Sequence, residues 1–92
     1  MNNVLIIYFE LTFQVKSRVP LINRIKTLGA WAKLGNSAYL VMTQYNPVQV
    51  RDHLWEVMNK ADKIYVGVCG APSAWNNLPQ DVSNWIRTNQ KK

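Results

Sequence analysis

Val4-Leu5-Ile6-Ile7-Tyr8-Phe9-Glu10-Leu11 is the stretch whose reading decides the fold. It is apolar on both alternations, with Val4, Ile6 and Tyr8 on one and Leu5, Ile7 and Phe9 on the other. Its length and its β-branched and aromatic content fit a strand buried on both faces. Glu10 stands where that strand leaves the core, so acid chemistry in this chain starts with it.

Downstream, Thr12 to Ser17 is polar enough to read as a loop. Pro20 suits the first turn of a helix, where its missing N–H costs nothing. Leu21, Ile22, Ile25 and Leu28 then recur at helical spacing, with Lys26 in the last turn and Gly29 as a stop. From Ala30 the period changes. Trp31-Ala32-Lys33-Leu34 and Ala38-Tyr39-Leu40-Val41-Met42-Thr43 read as strands joined by a hairpin turn at Gly35-Asn36. Asn46-Pro47-Val48-Gln49 is the clearest local signal, a helix start in which Asn46 caps and Gln49 reaches back. The apolar stripe of Val50, Leu54, Val57 and Met58 predicts a helix ending near Ala61. Ile64 to Cys69 reads as a fourth strand, and Val82, Trp85 and Ile86 beyond Pro79 have helical spacing.

The order strand, helix, strand, strand, helix, strand is the pattern of an α+β, ferredoxin-like βαββαβ sandwich. A short C-terminal helix or an extra edge strand follows it, and residues 1–92 make one domain. Right-handed crossovers place the first and third strands centrally and both helices on one sheet face. The other face, carrying Val4, Ile6 and Tyr8, then needs a cover. A second copy of the chain, making a homodimer, or the Trp-bearing C-terminal segment would supply it.

Lys and Arg total 11 against 5 for Asp and Glu, a net charge of +6. On a small domain that excess favours polyanion partners such as nucleic acid. The lone Cys69 forms no intrachain disulfide and points to a reducing compartment. The apolar N-terminal run is short and interrupted by Glu10, which reads as neither signal peptide nor membrane span. A cytoplasmic location is expected.

The residues also carry a resemblance. Phe9-Glu10-Leu11, Leu28-Gly29-Ala30-Trp31, Ser37-Ala38-Tyr39-Leu40-Val41 and Val50-Arg51-Asp52-His53-Leu54 resemble the small SinR-type proteins, a group related to the second CRISPR-associated protein family. Ala74-Trp75-Asn76-Asn77-Leu78 and Ser83-Asn84-Trp85-Ile86 are similar to that group's C-terminal pattern, so the likeness spans nearly the whole chain. It implies a ferredoxin-like homodimer that binds nucleic acid. In the CRISPR relatives an acid at the end of the first strand is proposed to hold a divalent metal for phosphodiester cleavage. The family motif there is aromatic-Asp, whereas this chain has Tyr8-Phe9-Glu10. Either Glu10 keeps the carboxylate on a longer arm, or Phe9 stands in its place and the metal site is gone.

The expected site residues follow from these readings. Glu10 is the candidate ligand for Mg²⁺ or Mn²⁺, since magnesium takes one or two carboxylates plus water and phosphate oxygens. Lys16 and Arg18, on the loop just after Glu10, joined by Arg24 and Lys26, are the candidate phosphate contacts. His53 lies beside an apolar stripe without a partner motif, which makes a structural or surface role the better reading than a general base. Cys69 reads as a small packed hydrophobe. Trp31, Trp55, Trp75 and Trp85 fill a core or an interface or, exposed beside lysines, would stack bases. The competing function is a non-catalytic inhibitor or accessory factor that binds another protein or a nucleotide.

Overall fold

The computed structural model describes residues 2–90, and the side chains of residues 14–17 lie outside that description. The chain runs β1 (Asn3–Glu10), α1 (Gln14–Lys26), β2 (Ala30–Gly35), β3 (Ala38–Thr43), α2 (Pro47–Trp55), β4 (Lys63–Val68) and α3 (Gln80–Asn89). The strands pair antiparallel in the order β2-β3-β1-β4. The result is a small α+β fold, a four-stranded antiparallel sheet with three helices among the described residues, compatible with a ferredoxin-like class. The central strands are β1 and β3, as the crossover argument requires.

Local chemistry explains most element ends. The side chain of Asn46 accepts from the Gln49 amide at 2.8 Å, and the Asn46 amide donates to Gln49 Oε1 at 2.9 Å, so the expected capping box opens α2. α2 stops at Trp55 rather than near Ala61. There the chain turns instead, because the buried Asp62 carboxylate accepts from the Asn59 amide at 2.8 Å and the Thr12 amide at 2.7 Å. Val57 and Met58 still reach the core, although they do so from the turn and not from a helix. α1 begins at Gln14, so Pro20 lies inside the helix and not at its first turn. One intrahelical hydrogen bond is lost at Pro20, while Leu21 and Ile25 just beyond it are completely buried, and tertiary packing outweighs the local preference.

Gly29 separates α1 from β2 with φ +151°, and a Cβ at this position would collide with the Met42 carbonyl oxygen. Only glycine lets the chain pass so close to the end of β3.

The alternation of β1 divides the molecule into two cores. Leu5, Ile7 and Phe9 are fully buried against Leu21, Ile25, Val50 and Leu54 of α1 and α2. Val4 and Ile6 face the other way, packing with Ala32 and Leu40 against Val82 and Ile86 of α3. Trp75 and Trp85 join this second core, and the Trp75 indole N–H donates to Ser83 Oγ at 3.0 Å. Of the two covers expected for this face, the C-terminal segment occupies it. It does so incompletely: a cavity of about 400 Å³ remains between the sheet and residues 73–90, lined by Ile6, Leu34, Leu40, Cys69, Trp75 and Ile86 among others.

Candidate nucleic-acid interface

Glu10 ends β1 on the α3 side of the sheet, opposite Lys63 at the start of β4. Its carboxylate accepts a hydrogen bond from the Tyr8 hydroxyl and has Lys63 Nζ 3.6 Å away. The Tyr8 hydrogen bond, with the charge of Lys63 in second place, holds Glu10 below the usual carboxylate range. Reciprocally, Tyr8 is pushed up, because ionising the phenol would break the bond it donates. A divalent cation at Glu10 would therefore meet a lysine and displace a phenol. Among the described residues, no group of three or more His, Cys, Asp or Glu stands together to hold a metal. One chain thus offers a metal at Glu10 a single carboxylate that already accepts from a phenol and lies beside an ammonium.

The remaining carboxylates are engaged as well. Glu56 pairs with Arg24 at 2.5 Å, and that hydrogen bond and charge lower its pKa. Asp52 pairs with Arg51 at 2.9 Å. Asp81 accepts from the Val82 amide at the start of α3. Burial pushes Asp62 up, but the Thr12 and Asn59 amides outweigh it and the net shift is downward.

Among the candidate phosphate contacts, the structure separates Arg24 from Arg18 and Lys26. The guanidinium of Arg24 donates to the His53 carbonyl at 2.8 Å as well as to Glu56, so it clamps α1 to α2. Lys16 falls outside the described side chains. Arg18 lies in α1, not on a loop, and donates to the Asn36 carbonyl of the β2–β3 turn, its guanidinium 5.7 Å from the centre of the Phe9 ring. Lys26 holds its ammonium 4.6 Å from the centre of the Trp31 ring system.

These contacts align α1 against β2, with Arg18 near the hairpin turn and Lys26 near the strand's beginning. Trp31 and Lys33, two residues apart, share one face of β2, and both are exposed. The result is a flank carrying Arg18, Lys33 and Lys26 with Trp31 between helix and strand edge. None of these cations forms an ion pair with a carboxylate among the described residues. Arg18 and Lys26 are about 12 Å apart along the helix axis, which matches three to four steps of one nucleic-acid strand at ~3.4 Å each. Trp31 is one of the four tryptophans read as filling a core or interface or as stacking bases beside lysines, whereas Lys33 was not among the expected phosphate contacts, although period-two alternation puts the two on one face. What the alternation lacks is the packing of α1 that sets Lys26 over Trp31.

His53 lines a cleft of about 330 Å³ with Thr27, Leu28, Tyr45 and Gln49, a set without a carboxylate or thiol to work with the imidazole. Cys69 is half-buried in the second core and accepts a hydrogen bond from the Gln90 amide group at 3.3 Å. No helix among the described residues is long and apolar enough to cross a membrane. Compared with protein-family models, with curated proteins and with solved structures, the chain matches none.

Proposed function

We propose that this chain is a small nucleic-acid-binding protein of ferredoxin-like βαββαβ architecture extended by α3, similar to the second CRISPR-associated protein family, and that it binds phosphate without cutting it. The observation that supports this reading is the α1/β2 flank, where Arg18, Lys33 and Lys26 stand unneutralised beside the exposed indole of Trp31. Cations there release counterions from a phosphate backbone, and the indole adds an aromatic face. The homodimer expected from the resemblance belongs to the same reading, and light scattering at micromolar concentration tests it.

The function itself is tested by titrating duplex DNA, single-stranded DNA and RNA over a salt series. Three phosphate contacts give a log–log slope of about −2.7 on duplex, a loss of roughly forty-fold in affinity between ~50 and ~200 mM salt. Lys33→Ala reduces that slope by about 0.9. A flat salt response sinks the reading and points to an apolar protein partner instead. Cleavage that requires Mg²⁺ or Mn²⁺ and disappears in Glu10→Ala overturns the non-catalytic part.

A further inference from the structure

The half of the second sheet face that α3 leaves open carries a pair of tyrosines. Tyr8 on β1 and Tyr65 on β4 are direct cross-strand partners, and both face solvent, Tyr8 at 39% and Tyr65 at 64% exposure. They are held differently. Tyr8 is fixed by the hydrogen bond it donates to Glu10. Tyr65 is placed by its strand: a Cβ built on Gly67 would come within 3.1 Å of the Tyr65 hydroxyl and 3.2–3.4 Å of its ring carbons. The hydroxyl end of the ring therefore lies over Gly67, while most of the residue is open to solvent. Lys63 is on the same face of β4, its side chain 75% exposed.

We propose that the Tyr65 ring, seated on Gly67 and flanked by Tyr8 and Lys63, is a stacking platform for an unpaired base of single-stranded nucleic acid, with Lys63 meeting the adjoining phosphate. This rests on the nucleic-acid reading and adds to it a strand state that the α1/β2 flank does not define. An aromatic ring whose face is free stacks any base, whereas a duplex keeps its bases stacked on one another. Lys63 and Glu10 form an exposed pair, the weak kind that an incoming phosphate can reorganise. A net charge of +6 favours the polyanion over an uncharged aromatic partner.

The test compares a fluorescent single-stranded oligonucleotide with a duplex of equal length at one low salt concentration. Tyr65→Ala weakens single-strand binding about ten-fold and leaves duplex binding unchanged. Gly67→Val, which lifts the ring off the strand, reproduces the loss with the tyrosine still present, while Tyr65→Trp retains affinity. Circular dichroism confirms that each variant is folded. Unchanged single-strand affinity in Tyr65→Ala, with wild type binding both ligands, overturns the platform and leaves the flank reading intact. Absence of binding to either ligand by wild type removes both.

Discussion

On one face of the sheet, Leu5, Ile7 and Phe9 are sealed beneath α1 and α2, helices that the chain forms between its own strands. On the other, α3 arrives only after the last strand, closes over Val4, Ile6 and Leu40, and leaves a cavity and exposed tyrosines beside it. Crossover helices must lie on the sheet, because each connects two parallel strands that flank a third. A helix appended after β4 has no such obligation and covers what its apolar side can reach, here through Val82 and Ile86. The first face is thus closed around its core and exposed only along its α1/β2 margin, whereas the second keeps open surface beside α3.

That contrast can be broken by measurement. Phe9→Ala empties the middle of the first core and costs about 3–5 kcal/mol by equilibrium denaturation. Ile86→Ala, at the wall of an existing cavity, costs about 2 kcal/mol, the low end for such truncations. If Ile86→Ala proves as costly as Phe9→Ala, the two faces are equally consolidated and the distinction fails. Asp62→Ala leaves the Thr12 and Asn59 amides without their acceptor and costs about 1–3 kcal/mol, read in the same urea titration. No loss would mean that water replaces the carboxylate and that the turn after α2 is held by packing alone.

The smallest effect is a pH dependence. Asp62 has a folded-state pKa below its unfolded value, so its stabilisation is present above the unfolded value and is lost as pH falls through the folded one. Stability should therefore decline on acidification through and below the ordinary carboxylate range, and Asp62→Asn should flatten part of that decline. Glu10 and Glu56 are lowered in the same direction but lie at the surface, where solvent screens them. Acid sensitivity unchanged in Asp62→Asn would assign the decline to those surface pairs.

The legibility of the sequence follows the range of the interaction concerned. Asn46 to Gln49 is a four-residue motif whose partners are its own neighbours, and it forms as read. The hydrophobic alternation of β1 predicts two buried faces, and both exist, the second under the C-terminal segment that was one of two expected covers. Pro20 misleads because its local preference for a helix start yields to the burial of Leu21 and Ile25. Val57 and Met58 mislead because apolar spacing continues past Trp55, while Asp62 reaches back to Asn59 and across to Thr12. The same rule governs the interface. Arg18 and Lys26 are legible as cations, but the removal of Arg24 by Glu56, a residue just past the end of α2, is not. Trp31, Lys33 and Tyr65 lie on the edge strands that the crossover argument implies, but composition does not carry that α1 sets Lys26 beside Trp31 or that α3 leaves Tyr65 uncovered.

The position of α3 in the chain also has a consequence in time. Synthesis proceeds from β1 onward, and the sheet with its first two helices is fully translated at Val68, well before Asn89 is added. At about 5–20 residues per second the interval is about one to four seconds. Throughout it, the nascent chain holds Val4, Ile6 and Leu40 without the helix that will shelter them. The cover of that face is thus the last element to be made, and its closure follows every part of the first core in order of synthesis.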